Sequence, residues 1–328
     1  MERFIGASLG ALIAAVSVLS FVGSAGAKEG SGVELTQEDN RIVVRVGGKP
    51  FTNYYFGPEG GRPYVRPFLY PVHAGDGTEV TSDQMQTKGD HPHHRSIWVS
   101  HGDVNGVDHW AIKGEKPPKQ RHVGFEKVGG DTIVQNLEWE GKDGSALLRE
   151  RRTVRFFAFP DGNRGIDITS EYAAVNSPVK FGDTKEAGLC SVRVPKSISD
   201  NPTLTLSTGA VSTRNADKAA KQAGDEANVW GKEAGWCDIA GQIGGKTYGL
   251  AILDHPSNPL PAKWHARRYG LVGANNIGAS EFDRKNPNAY TPFTIEPGKP
   301  ATFRYRVVIH GGDPQAAKLD EKYGEFAR

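Results

Sequence analysis

The sequence predicts an all-β protein, built as a large antiparallel β-sandwich with few short helices. Runs that alternate with period two or are rich in β-branched residues recur along the chain, while helical periodicity is rare. Turn-forming residues are abundant, with 41 Gly and 20 Pro. Long strands joined by turns, without helices between them, are typical of antiparallel sheets packed face to face. Because no repeat or linker divides the chain, we expect residues 28–328 to form a single domain.

The individual elements follow from these patterns. The predicted strands are Arg41–Val46, Thr132–Glu140, Leu147–Phe159, Gly165–Ala173, Lys246–Leu253, Tyr269–Val272 and Ala301–Ile309. The segment Pro160–Asn163 has the composition of a tight turn and predicts a hairpin between the third and fourth strands. Two segments predict helices: Pro314–Phe326, from its helical spacing of apolar residues, and the shorter Ala216–Gln222.

The N-terminal segment has the pattern of a secretory signal. Arg3 precedes an apolar run over Ile5–Val22, and small residues follow up to Ala27, where a signal peptidase reads an A-x-A pattern. The alternative is a permanent membrane anchor, which needs about 20 strongly apolar residues, whereas this run is diluted by Gly and Ser. We therefore expect a signal peptide over residues 1–27, a periplasmic or secreted protein, and no membrane association after cleavage.

The net charge bears on possible binding partners, and the cysteine content bears on disulfide formation. The formal net charge is only +2, and no concentrated basic stripe is present, so nucleic acid is not an expected partner. The two cysteines are Cys190 and Cys237. In an exported protein they could form a disulfide, or each could be a buried free thiol, and their spacing leaves both possibilities open.

Histidines concentrate in one segment. Of the ten in the chain, six fall between His91 and His122. Imidazole titrates near neutral pH, so it can both accept and donate a proton, and it is the commonest transition-metal ligand. If the chain is extended here, as Pro92 favours, His91 and His93 share one face. We predict His93 and His101 as general acid/base residues, with a carboxylate partner from Glu186 or Asp254.

A metal site is the alternative use of the same histidines. The predicted ligands are His91, His93 and His109, holding a divalent metal as the possible cofactor. The zinc pattern H-E-x-x-H is absent, and H-x-H-H alone is weak evidence for a metal. Ordinary structural roles for single histidines also remain open.

Further polar and aromatic residues complete the predicted site. Those assigned to substrate binding are Arg95, Trp98, His255, Asn258, His265 and Arg267. Several of them follow the apolar strand that ends at Leu253, and polar groups past the end of a buried strand are well placed to line a cleft. Trp98 could stack on the apolar face of a sugar ring, although an ordinary core position explains it equally well.

The ordered motifs resemble those of a group of exported bacterial proteins labelled the PmoA family. They are His91–Arg95, His101–Gly106, Gly182–Glu186, Trp236–Asp238, Asp254–Pro259 and Trp264–Arg267, within residues 64–310. Ser96 departs from this pattern, since relatives tend to have Gly there. The resemblance implies one β-sandwich domain similar to the galactose-mutarotase supersandwich, and a carbohydrate substrate. The methane monooxygenase subunit that the label suggests spans the membrane several times, and this chain has no such segments after its signal.

These observations lead to three functional hypotheses. The first is an exported enzyme that acts on a carbohydrate or modified sugar by hydrolysis, elimination or epimerisation. The second is a metal-dependent enzyme, and the third is a non-catalytic sugar-binding module. All three require that the histidine segment, Glu186 and residues 254–267 meet in one place.

Overall fold

The computed structural model describes Met1, residues 32–114, 116–213 and 228–278, Phe282 and residues 293–328. Residues 1–30 and 31–328 separate into two units, and the fold below is that of the second. Apart from Met1, the predicted signal segment lies outside the described residues, as does the predicted helix Ala216–Gln222. Within the described residues, no helix has the length and apolar character needed to cross a membrane.

The described residues form nineteen strands and two helices. The strands before the first helix are β1 (Val33–Gln37), β2 (Arg41–Val46), β3 (Lys49–Tyr55), β4 (Phe68–Leu69), β5 (Ile97–His101), β6 (Gln120–Gly129), β7 (Thr132–Glu140), β8 (Ala146–Ala158), β9 (Arg164–Ala174), β10 (Val179–Phe181) and β11 (Ala187–Arg193). After α1 (Lys196–Ser199) come β12 (Thr203–Leu206), β13 (Val211–Thr213), β14 (Trp236–Ile243), β15 (Lys246–Asp254), β16 (Lys263–Arg267), β17 (Leu271–Asn275), β18 (Phe293–Ile295), β19 (Ala301–Gly311) and α2 (Leu319–Phe326).

The strands assemble into two large sheets and one small one, and the neighbouring strands pair antiparallel. The eight-stranded sheet has the order β1-β2-β3-β4-β5-β11-β17-β16, and the nine-stranded sheet has the order β13-β12-β14-β15-β19-β9-β8-β7-β6. Strands β10 and β18 form the small sheet. The predicted antiparallel sandwich with few helices is confirmed.

The main core lies between the two large sheets. Alternate residues of a strand contribute to it, such as Ile97 and Val99 of β5 and Val154 and Phe156 of β8, which belong to one buried cluster. Burial of each such side chain contributes about 1.5–3 kcal/mol. Period-two alternation therefore places the remaining residues of the eight-stranded sheet on its outer face.

The six strands predicted around residues 41–46, 132–140, 147–159, 165–173, 246–253 and 301–309 are present, with end points within a residue or two. The strand predicted at Tyr269–Val272 begins at Leu271 instead, because a turn precedes it. Gly270, with φ of 108°, ends this turn, and its N–H donates to the Arg267 carbonyl. Helix α2 begins at Leu319 rather than Pro314, because Lys318 takes the left-handed conformation, with φ of 52°.

The two cysteines lie on different sheets. Cys190 is in β11 and Cys237 is in β14, and both are buried free thiols. Burial raises the pKa of each thiol. Of the two possibilities that the sequence leaves open, the structure has the unpaired one.

Candidate functional site

The segment from His91 to His94 is a tight turn rather than the extended chain that the sequence predicts. The His94 N–H donates to the His91 carbonyl at 2.8 Å. Pro92 takes the second position of this turn, which its fixed φ favours. The turn brings its first and fourth residues together, so the imidazoles of His91 and His94 stack with their centroids 4.8 Å apart.

This pair is the middle of a longer stack. The Tyr269 ring lies parallel to His91, with centroids 5.1 Å apart, and His94 lies parallel to Trp98 at 5.3 Å. The loop after β16, the turn and β5 thus meet through four nearly parallel rings. The His93 ring stands edge-on to His94 at 4.5 Å, so it lies beside the stack.

The strand register explains where the next rings come from. Trp98 of β5 pairs with Ser191 of β11, which pairs with Gly273 of β17, which pairs with His265 of β16. These four residues form one row across the outer face of the sheet. The two middle members are small, and the side chains of Trp98, Ser191 and His265 are all buried.

Two tryptophans from outside the sheet complete this surface. Trp110 lies 5.4 Å from Trp98 and 6.2 Å from His265, with which it is nearly parallel. Trp230 stands perpendicular to His265 at 4.9 Å. We call this set the aromatic cluster; its members are His91, His93, His94, Trp98, Trp110, Trp230, His265 and Tyr269.

Three arginines border the aromatic cluster. Arg193 donates from Nη1 to His94 Nδ1 at 3.1 Å and lies over Tyr269, 4.8 Å from the ring centroid. Arg267 lies over the same ring at 5.3 Å. Arg66 donates to the carbonyls of His93 and His109, so it ties the turn to the loop that carries Trp110. Guanidinium groups stacked on aromatic faces are stabilised by cation–π attraction.

Several buried polar atoms beside these rings have no hydrogen-bond partner among the described residues. They are Tyr64 Oη, Arg66 Nε, Trp110 Nε1 and Arg193 Nε. Three of the four are obligate donors. A buried donor without an acceptor costs about 1–3 kcal/mol. A ligand rich in oxygen atoms that reached these donors would supply the missing acceptors.

Three imidazoles of the aromatic cluster, those of His93, His94 and His265, are held neutral. Burial, and next the positive charge of Arg66, lowers the pKa of His93 to about 4. Burial likewise lowers the pKa of His265 to about 4 and lowers that of His94. At neutral pH these rings can therefore accept a proton or a hydrogen bond.

Glu186 lies near this surface, as predicted, although its carboxylate is not free. It forms an ion pair with Lys185 at 2.6 Å. Its charge acts on His265, whose pKa it raises against the larger effect of burial. The sequence predicts that the histidine segment, Glu186 and residues 254–267 meet in one place. The turn at residues 91–94, Glu186 and His265 lie near one another, whereas Asp254, His255 and Asn258 line a separate cavity.

His101 and His109 lie elsewhere. His101 comes two residues after Val99 on β5, so it shares the core-facing side of that strand and is fully buried. Its Nε2 lies 2.8 Å from the Gly182 carbonyl. His109 is buried against Trp139, 4.9 Å away. Neither ring has the access that a general acid/base or an exchangeable metal ligand needs, so the geometry does not support these predicted roles.

Arg95 is also withdrawn from solvent. It forms a buried ion pair with Asp83 at 2.6 Å and lies 3.9 Å over the Phe68 ring. Arg95 lies between the turn at residues 91–94 and β5, but its charge is already neutralised by Asp83. The geometry therefore assigns Arg95 to the packing of this loop rather than to substrate binding.

Asp254, His255 and Asn258 line a separate cavity of about 330 Å³, together with Glu233 and Tyr323. Asp254 accepts hydrogen bonds from the amides of Asn258 and Asn276. Burial is the main cause of its raised pKa. His255 Nδ1 accepts from the Ser257 N–H at 3.0 Å. These residues order a loop, and none of them joins the aromatic cluster.

The predicted metal ligands do not form a centre. In the part of the chain that the structure describes, no three His, Cys, Asp or Glu residues are arranged to hold a metal ion. His91 Nδ1 instead lies 2.7 Å from an oxygen of Asp90, and the His91 and His93 rings are 5.7 Å apart.

Sequence reasoning missed Arg66, Arg193, Trp230 and Tyr269. A signal for one of them was available, because Val192 and Val194 are buried in the core and Arg193 between them must point to the opposite face. The other three occupy loops, where no periodic pattern reports which side chains meet.

Solved structures similar to the chain include a GalM/aldose epimerase homologue from C. elegans. It is 8% identical, covers 85% of this chain and 99% of that chain, and has a TM-score of 0.39. A galactose mutarotase related enzyme from Lactobacillus acidophilus is 9% identical, with 85% and 97% covered and a TM-score of 0.38. A polysaccharide lyase is 11% identical, with 86% and 33% covered and a TM-score of 0.31. Similarity of this degree carries no argument about the chemistry of the site.

No curated protein matches the chain. A family model does match, over residues 41–324, and its description is "Family of unknown function (DUF6807)". That description says nothing about the PmoA label, so this resemblance stays a prediction. Since the match spans most of the chain, including every member of the aromatic cluster, the chain belongs to the DUF6807 family.

Proposed function

We propose that the protein binds a carbohydrate or modified sugar at the aromatic cluster and catalyses a proton-transfer reaction on it, such as elimination, epimerisation or hydrolysis. The observation that carries the proposal is the set of aromatic rings bordered by buried donors, Trp110 Nε1 among them, without acceptors in the described residues. A sugar offers an apolar C–H face to aromatic rings and a row of oxygens to N–H donors.

His93 and His91 supply the proton-transfer chemistry in this proposal. His93 is only partly buried, and its lowered pKa leaves it neutral and able to accept a proton. His91 has the Asp90 carboxylate 2.7 Å from Nδ1, an arrangement that orients an imidazole. One ring would take a proton from the sugar while the other returns one to the departing or newly formed group.

Replacement of His93 tests the catalytic part of the proposal. In a screen of sugars and oligosaccharides, we expect His93→Ala to reduce turnover by about 10²–10⁴-fold while sugar affinity changes less than threefold. Trp110→Ala should instead abolish binding. His73→Gln is the matched imidazole control, because His73 lies outside the aromatic cluster with Nδ1 3.1 Å from the Phe51 carbonyl. Full turnover in His93→Ala would remove the role of His93.

A non-catalytic sugar-binding module is the second candidate. It is favoured by the position of His101 and Asp254, which the sequence predicts as catalytic and which do not reach the aromatic cluster. Tight binding of a sugar that the wild-type protein never converts would favour this module over the enzyme.

We also propose that the protein is exported from the cytoplasm. The apolar run over residues 5–22 and the small residues up to Ala27 support export and cleavage after Ala27. N-terminal sequencing of the protein recovered from the periplasm or medium tests this. A mature chain beginning at Lys28 is expected, and a chain that retains Met1 in the cytoplasm would contradict export.

A further inference from the structure

Some of the buried arginines among the described residues have a carboxylate beside them and others do not. Arg164, outside the aromatic cluster, is one that does not, and it donates to the carbonyls of Pro50 and His73. Arg95 and Arg152 each have a buried carboxylate beside them, from Asp83 at 2.6 Å and Glu150 at 2.7 Å respectively. Arg66 and Arg193 are equally withdrawn from solvent, with 1% and 6% of their surface exposed. Both border the aromatic cluster. In the described part of the chain, neither has a carboxylate within ion-pair distance.

The contacts of these two guanidiniums are neutral. Arg66 donates to main-chain carbonyls, and Arg193 donates to the neutral ring of His94. A buried charge without an opposite charge is costly, and proteins generally supply the partner. Two such charges beside the aromatic cluster give it a positive electrostatic potential, which favours an anionic ligand.

The nearest acidic groups do not pair with these two arginines. Asp108 acts on Arg66 only at a distance, and one of its oxygens accepts the main-chain N–H groups of Trp110 and Ala111. Asp90 acts on Arg193 only at a distance, and its side chain is 77% exposed, so solvent screens it. Glu186 is engaged by Lys185. The strand register places Arg193 and Arg267 on either side of Leu271, with which both pair, and both lie over the ring of Tyr269.

We infer that the sugar bound at the aromatic cluster is acidic, and that its carboxylate or sulfate group accepts hydrogen bonds from Arg193, with Arg66 adding positive potential. The inference rests on the proposed function, since it names the class of sugar for the same site. A guanidinium offers a planar fork of donors that matches an anionic oxygen group, and such charge-assisted bonds are about twice as strong as neutral ones.

Calorimetric titration of the full protein at low salt tests the inference without any variant. The probes are galactose, galacturonate, the methyl ester of galacturonate and galactose 6-sulfate, with the glucose series in parallel. We expect one acidic sugar to bind at least tenfold more tightly than both its neutral parent and its ester. Preference for the uronate identifies a carboxylate as the anionic group, and preference for the sulfate ester identifies a sulfate.

Replacement of the arginine then locates the preference. We expect Arg193→Gln to bring the affinity for the acidic sugar within threefold of the affinity for the neutral sugar in the same variant. Arg193→Lys, which keeps the charge and loses the fork, should retain part of the preference and guards against misfolding of the Gln variant. Arg149→Gln is the control, because Arg149 lies on the nine-stranded sheet with its side chain 68% exposed.

Two negative results have different meanings. Equal affinity of wild-type protein for acidic and neutral sugars would overturn the inference and leave a sugar-binding site in place. Failure to bind any sugar, acidic or neutral, monomeric or oligomeric, would overturn the proposed function and the inference with it. A tenfold preference that survives unchanged in Arg193→Gln would overturn the assignment to Arg193.

Discussion

Arg193 Nη1 donates to His94 Nδ1 across 3.1 Å, and this bond joins β11 to the turn at residues 91–94. Since a guanidinium has no acceptor atom, Nδ1 must be the accepting nitrogen and the proton of the neutral ring lies on Nε2. His94 is also one of the two inner rings of the four-ring stack, between His91 and Trp98. The His94 imidazole therefore contacts the turn through His91, strand β5 through Trp98 and strand β11 through Arg193.

We expect His94→Ala to lower the free energy of unfolding by about 2–4 kcal/mol, because it removes a buried ring and the acceptor for Arg193. His94→Asn should recover part of this loss, since the amide oxygen can accept in place of Nδ1. Urea titration followed by tryptophan fluorescence measures both variants. Equal stability of His94→Ala and wild type would contradict the central place given to this ring.

The buried ion pair between Glu150 and Arg152 lies inside the main core, and Glu150 also accepts from Trp139 Nε1 at 2.7 Å. We expect Glu150→Gln to lower the free energy of unfolding by about 3–5 kcal/mol, because Arg152 then carries an uncompensated buried charge. The exposed pair of Lys318 and Glu321 is the control. In the same denaturation assay, Glu321→Gln should change stability by less than about 1 kcal/mol, and similar losses in the two variants would contradict the argument.

Buried histidines should make the protein less stable in mild acid. Burial lowers the pKa of His265 from 6.5 to about 4, and His101 and His109 are affected in the same direction, also to about 4. Between pH 6.5 and 4 the unfolded chain therefore binds protons that the folded chain does not, so stability present above pH 6.5 is lost as the pH falls.

Urea midpoints measured from pH 8 to pH 4.5 test this dependence. We expect the free energy of unfolding to decrease below pH 6.5, and His265→Gln to show a shallower decrease because one of the buried imidazoles is gone. Comparison with the variant separates this histidine from carboxylates that titrate in the same range. A stability that rises on acidification to pH 5, or an identical slope in the variant, would contradict the prediction.

His101 and His93 should respond differently to replacement. His101 faces the core beside Phe181, 5.2 Å away, so we expect His101→Ala to lower the free energy of unfolding by about 2–4 kcal/mol. Turnover per folded molecule should stay within threefold of wild type once a substrate is known. A folded His101→Ala protein that has lost its turnover would restore the catalytic role that the sequence predicts.

Most of the strands predicted from the sequence have one buried and one solvated face; β15, found as an apolar run, is instead buried from Tyr248 to Asp254. In β8, β9 and β19 the alternation of apolar and polar residues is written into the sequence, and their positions were found from it. β5 is different, because all five of its residues are buried. Its inner face meets the core and its outer face meets the aromatic cluster, so local alternation does not report which side His101 or Trp98 occupies.

The turn at residues 91–94 shows a second limit. Pro92 is compatible with extended chain and with the second position of a β-turn, and both satisfy its fixed φ. Contacts from distant residues stabilise the turn: Arg193 on His94, Tyr269 on His91 and Arg66 on the His93 carbonyl. No local pattern in the sequence distinguishes the two conformations.

By itself the sequence determined that this is a β-sandwich chain with an unusual density of histidine between residues 91 and 122, because period-two alternation and composition are local properties. Only the tertiary structure decided which of those histidines share a surface, which are enclosed in the core, and which arginines already have a carboxylate beside them. These depend on the register of β5, β11, β17 and β16, and burial and charge pairing arise only when strands far apart in the chain are brought together.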